Sequence, residues 1–148
     1  MEIREHIASE ERDELIAGII DVPKYEAIML LEAGHLLAQM GRYKEAQELF
    51  KGVAALLPHS DVPCVALGNL LFAQGKLNLA LKEHEKALKR QPKSSVAMAH
   101  MGEIYLYQKK YKEGQEILLR AIRVEPDGLA AKFAQELLKA HEIHLFGD

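Results

Sequence analysis

Threonine and tryptophan are missing from this chain, serine occurs only at positions 9, 60, 94 and 95, and Cys64 is the single cysteine. A lone cysteine excludes an intrachain disulfide and leaves no sign of an oxidising compartment. No apolar run approaches the length of a membrane span. The opening residues Met1-Glu2-Ile3-Arg4-Glu5 carry acids where a secretory leader has net positive charge ahead of an apolar stretch. A basic surplus is also lacking: the formal charge is -3, whereas nucleic-acid binders need cations for phosphate contacts. Glycine-rich phosphate loops, paired carboxylates at a strand end and a serine elbow are absent too. These absences lead us to expect a cytoplasmic non-enzyme with no cofactor, no nucleic-acid partner and no membrane insertion.

What is present is helical material. In 148 residues, 49% are hydrophobic and 28% charged, a balance suited to one globular domain with an ordinary core. Alanine, leucine, glutamate and lysine dominate, and all are good helix formers. One spacing organises them. Gly34, Gly68 and Gly102 step by 34 residues, and so do Pro58, Pro92 and Pro126. A period of this size marks stacked supersecondary units rather than a closed catalytic fold.

Blocks begun at Ala27, Asp61 and Ser95 align without insertion. Their twentieth residues are Ala46, Ala80 and Gly114, and their twenty-seventh are Val53, Ala87 and Ala121. Each block holds two stretches of helical apolar spacing, parted at Gly41-Arg42, Gly75-Lys76 and Lys109-Lys110. Small residues let antiparallel helices approach closely, and each proline ends a second helix.

On these residues the chain resembles the tetratricopeptide repeat family, with Leu67-Gly68, Gly75, Ala80, Ala87-Leu88 and Pro92 in the second block as the best copy. Leu30, Cys64 and Met98 stand where the family has an aromatic, and Lys109 replaces a turn glycine. The resemblance implies an all-α right-handed superhelix: repeats at 27–60, 61–94 and 95–128, a helical segment over 1–26 and a capping helix over 129–148. Glu2 to Ile20 is read as helical, with Leu15, Ile16, Ile19 and Ile20 as its apolar end. In the last helix Leu129, Phe133, Leu137, Leu138 and Ile143 are expected inside, with Lys132, Gln135, Glu136 and Lys139 outside. The layout, with Gln39, Gly41-Arg42-Tyr43, Glu45-Ala46 and Phe50, also resembles the small chaperones of bacterial type III secretion.

In the family the first helix of each pair lines a concave groove. Carried onto this sequence, the groove positions are Ile28, Leu31, Glu32, His35, Ala38 and Gln39 in the first repeat. The second contributes Val62, Val65, Ala66, Asn69, Phe72 and Ala73. The third contributes Val96, Ala99, His100, Glu103, Leu106 and Tyr107. None is Lys or Arg. The class of these repeats that clamps the terminal carboxylates of heat-shock chaperones uses Lys, Arg and Asn, of which only Asn69 is found here. The expected partner is therefore a protein or peptide segment with apolar anchors, held by burial. Glu32 and Glu103 would favour a basic residue in that segment.

Other features have plainer readings. His141 and His144 lie three apart, but a structural zinc site wants four ligands, so no metal is expected. Cys64 sits at a packing position and reads as an inert buried thiol. Lys86, Lys89, Arg90 and Lys93 are balanced by Glu83 and Glu85 and read as a solvated face. The alternative function is a self-associating scaffold, a homodimer joined through Ile16, Ile19, Ile20 and Val22, or an accessory subunit of a larger complex. The same cluster folding back on the first repeat is the competing fate.

Overall fold

Three turns set the rhythm of the molecule. Gly41, Gly75 and Lys109 have φ of 79°, 76° and 61°, the left-handed region where a helix closes on a glycine. Around each, the same two bonds recur. The turn residue's N–H donates three residues back (Gly41 to Ala38, Gly75 to Phe72, Lys109 to Leu106), and the next N–H donates five back (Arg42 to Leu37, Lys76 to Leu71, Lys110 to Tyr105). These pairs satisfy the orphan carbonyls of the helix end. At the other junctions each outer helix stops two residues before Pro58, Pro92 or Pro126.

The computed structural model describes residues 24–142. Seven helices follow one another: α1 Lys24–Gln39, α2 Tyr43–Leu56, α3 Val62–Ala73, α4 Leu77–Arg90, α5 Ser95–Tyr107, α6 Tyr111–Val124 and α7 Leu129–Glu142. Among the described residues there is no strand. The reading of Glu2 to Ile20 as a helix, and of Ile16, Ile19, Ile20 and Val22 as an interface, lies outside the described residues. The first helix starts at Lys24, three residues ahead of the block begun at Ala27, while the other inner helices start within one residue of theirs.

Neighbours in the chain are neighbours in space. The odd-numbered helices also touch each other, α1 with α3, α3 with α5 and α5 with α7, whereas the even-numbered helices make no comparable contact with one another. The odd helices are therefore the crowded inner layer of a curved stack, and the even helices the splayed outer layer. This is an all-α superhelix of helix pairs.

Within each pair one contact repeats. A Cβ on Gly34 would strike the Phe50 ring, one on Gly68 the His84 ring, and one on Gly102 the Leu118 side chain. The glycines are hollows, and residues 50, 84 and 118 are the knobs that fill them. All three knobs are fully buried.

Polar clamps bind pair to pair. Arg90 Nη1 donates to the carbonyls of Ala54, Leu57 and Ser60 at 3.1, 3.1 and 3.2 Å. It thus satisfies the end of α2, where carbonyls and helix dipole favour a cation. This corrects its reading as part of a solvated basic face. Ser94 Oγ caps α5 by accepting from the Ala97 N–H and donates to Asp61 Oδ2 at 2.6 Å.

The last helix turns the expected side inward except at its first residue. Leu129 is 84% exposed, and the buried residues of α7 are Ala130, Ala131, Ala134 and Leu137. Phe133 and Leu138 are half-buried, Lys132, Gln135, Glu136 and Lys139 are exposed, and Ile143 lies outside the described residues. Helix α7 packs on both α5 and α6, and Ala130, Ala131 and Ala134 let it approach them closely.

Candidate functional site

The inner layer is short of charge. Helix α3 has no ionisable acid or base other than Cys64, α5 has only Glu103, His100 and two tyrosines, and from Tyr25 to Tyr107 no inner helix contains Lys or Arg. Apart from Lys24 at the start of α1 and Lys132 and Lys139 on α7, the helical cations sit on the outer helices, with most of the acids.

Position by position the wall is uneven. Ile28, Val62 and Val96 form an exposed row at the helix starts. Leu31 is half-buried, Val65 is nearly closed off among Cys64, Ala87 and Ala97, and Ala66 and Ala99 are buried. Glu32, His35, Gln39 and Ala73 are exposed, whereas Ala38, Asn69, Phe72, His100 and Glu103 are half-buried. At the far end Phe72 and Tyr107 meet edge to face with centroids 5.4 Å apart, and Tyr107 is 56% exposed.

Leu106 departs from the reading as a groove residue. It is fully buried, in a cluster with Met98, Ala99 and Leu118. The cause lies across the pair at Gly114, where the other repeats have Ala46 and Ala80. A Cβ there would lie 3.0 Å from Leu106 Cδ2, so the missing methyl is the space into which Leu106 turns.

Between the first two repeats the wall opens into a cavity of about 370 Å³. It is lined by His35, Ala38, Gln39, Tyr43, Phe50, Ala66, Asn69, Leu70 and Ala73. The His35 ring tilts over Phe50, centroids 5.1 Å apart. Tyr43, Phe50 and Leu70 were not among the groove positions expected from the sequence. Phe50 reaches the cavity from α2 because Gly34 lets it through.

Farther along, His100 is the centre of a polar group on the floor. Its Nε2 lies 3.5 Å from Asn69 Nδ2 and its Nδ1 3.8 Å from Glu103 Oε1. Asn69 donates to Nε2 when the proton is on Nδ1, the nitrogen facing Glu103. The ring stacks on His84 at 5.4 Å, and Phe133 of α7 meets it edge-on at 5.3 Å. His84 is wholly buried and neither ring nitrogen has a hydrogen-bond partner. Burial, and then the neighbouring His100, lower its pKa from 6.5 to about 3. The 34-residue register, which aligns His84 with Phe50 and Leu118, was the signal for this residue.

Remaining chemical candidates fall outside the wall. Cys64 is buried and free, and burial raises its pKa. His141 stacks on Tyr111 at 4.6 Å, and His144 lies outside the described residues. Among the described residues no three of His, Cys, Asp or Glu are placed to hold a metal ion, and no helix is long and apolar enough to cross a membrane.

The sequence model of the tetratricopeptide repeat matches residues 37–83 and 71–138. No curated protein matches the chain in sequence. Among solved structures, the chain is similar to the Yersinia enterocolitica type III secretion translocator chaperone SycD, at 18% identity and a TM-score of 0.72 over 84% of this chain and 97% of that one. SycD in complex with a peptide of the translocator YopD superposes with a TM-score of 0.70 at 17% identity, covering 84% and 98%. The first repeat domain of Spaghetti (RPAP3), bound to the HSP90 peptide SRMEEVD, gives 0.64 at 22% identity, covering 80% and 98%.

Proposed function

The chain belongs to the tetratricopeptide repeat family, and from that premise we propose that it is a non-enzymatic module that holds a segment of a partner protein against its inner wall, as an adaptor or dedicated chaperone. The observation that carries this reading is the wall itself: apolar, without Lys or Arg from Tyr25 to Tyr107, and open at a cavity of about 370 Å³. The cavity suits one large apolar side chain, and Phe72 with Tyr107 forms a second aromatic landing point. Burying two such anchors contributes on the order of several kcal/mol at about 25 cal/mol per Å², offset in part by ordering the segment.

Charge narrows the partner. Without a cation the wall offers nothing to an acidic terminal peptide of the kind bound by the RPAP3 domain. Exposed Glu32 and half-buried Glu103 favour a basic residue between apolar anchors. The finer reading is a chaperone that shields an apolar subunit before export, as the pairing of SycD with a YopD peptide suggests by analogy of fold. A gene neighbourhood without export apparatus would remove that finer reading and leave the adaptor.

The experiment is capture of the partner by the protein and by Phe72→Glu/Tyr107→Glu. Capture should fall at least about tenfold with helicity and Tm unchanged. Because Phe72 is half-buried, Tyr107→Glu alone serves as the surface-only variant. Capture that survives both changes rules out the wall as the binding site.

A further inference from the structure

The cavity between the first two repeats has two counterparts, because each inner helix meets the next in the same 34-residue register. At both counterparts the protein supplies a ring of its own. Where α3 meets α5, Tyr107 lies edge to face on Phe72 with centroids 5.4 Å apart. Where α7 closes the third repeat, its His141 stacks on Tyr111 of α6 at 4.6 Å.

Moving these rings back along the register shows what the first interface lacks. Tyr107 and His141 both correspond to Ala73, Phe72 corresponds to Ala38, and Tyr111 corresponds to Tyr43. Ala38, Tyr43 and Ala73 all line the cavity of about 370 Å³. The ring on which His141 rests in the third repeat is therefore kept, as Tyr43, and the ring that should rest on it is cut back to a methyl. Tyr43 is 42% exposed, while Phe50 and Leu70 give the cavity an apolar floor. No Lys, Arg, Asp or Glu lines it, so a charged side chain would enter without a counter-ion.

We propose that this cavity receives an aromatic side chain of the partner segment, seated against Tyr43 in the place that Tyr107 and His141 fill in the later repeats. The proposal rests on the reading of the inner wall as the binding site and names the anchor which that wall selects. A ring is favoured over an aliphatic group of similar size for two reasons. It can meet the Tyr43 ring stacked or edge-on, as the two internal pairs do. It also brings a large contact area with few rotatable bonds to fix.

The test titrates the full chain with the N-acetyl amides of tyrosine, phenylalanine and leucine and follows the backbone amide resonances of Gln39, Tyr43 and Ala73. Both aromatic amides should shift them and bind at least about threefold more tightly than the leucine amide. Ala73→Tyr, which copies Tyr107, should abolish the shifts at Gln39 and Tyr43. Ala73→Trp would give the chain its only indole, and its emission should lie to the blue of Leu119→Trp, a control on the exposed side of α6. An equal response to leucine, no shift with any amide, shifts that survive Ala73→Tyr, or an indole emission as red as the control would each overturn the proposal. The wall itself is tested apart from this, by partner capture with Tyr107→Glu. Capture lost there while the aromatic amides leave the cavity unmoved would keep the wall and remove the aromatic anchor.

Discussion

At residue 84 the repeat departs from its own rule. Phe50 and Leu118 fill the glycine hollows of their pairs with apolar groups, whereas His84 fills the hollow of Gly68 with an imidazole whose nitrogens find no partner. A buried base with its pKa lowered to about 3 from 6.5 resists protonation in the folded state. Below pH 6.5 the unfolded chain therefore takes up a proton that the folded chain refuses, and linkage requires stability to fall. The contribution of His84 is complete above pH 6.5 and is lost progressively as pH drops toward about 3, reaching a few kcal/mol at about 1.4 kcal/mol per unit. His84→Leu, which copies Leu118, should flatten this part of the pH profile. Urea unfolding of both proteins from neutral pH down to about pH 4 measures it; parallel curves would mean that His84 is not buried in its neutral form.

At the scale of the helix, the three turns form a natural comparison. Gly41 and Gly75 adopt their left-handed φ without a side chain, and Lys109 adopts φ 61° with one. That conformation costs a non-glycine residue about 1–2 kcal/mol, part of which glycine returns through its freer unfolded state. Lys109→Gly should therefore stabilise the protein by about 0.5–1 kcal/mol, read as a Tm rise of a few degrees. A fall in Tm would show that the Lys109 side chain makes a contact worth more than the strain. The helices themselves were legible in the sequence, because turn glycines, terminal prolines and apolar spacing act within one pair. The place of Leu129 was not: it opens α7 and stands in solvent, while Ala130, Ala134 and Leu137 fill the space against α5 and α6.

For the molecule as a whole, stability is a sum over neighbouring pairs, with no contact spanning the array. The third repeat is closed by α7, whose Ala130, Ala134 and Leu137 complete the cluster of Met98, Ala99, Leu118 and Ala121. Ending the chain before Leu129 should uncover this cluster and cost roughly 3–6 kcal/mol, seen as a lower urea midpoint. Hydrogen exchange should quicken first in α5 and α6, not in α2. An unchanged midpoint would show that α7 is an appendage rather than a cap.

The residues alone determined that this chain is a stack of helix pairs, because each 34-residue unit has its own hollow, knob, turn and stop. They also determined that the inner helices from Tyr25 to Tyr107 lack Lys and Arg. Only the tertiary structure decided which inner side chains remain on the wall. Leu106 and Phe72 hold the same place in their repeats, yet the first is sealed in the core and the second is half-buried. Where the second repeat has Ala80 on the facing helix the third has Gly114, and Leu106 turns into the space of that methyl. Burial at the wall depends on pairs of distant residues, and no period along one strand of sequence encodes how such a pair divides the space between them.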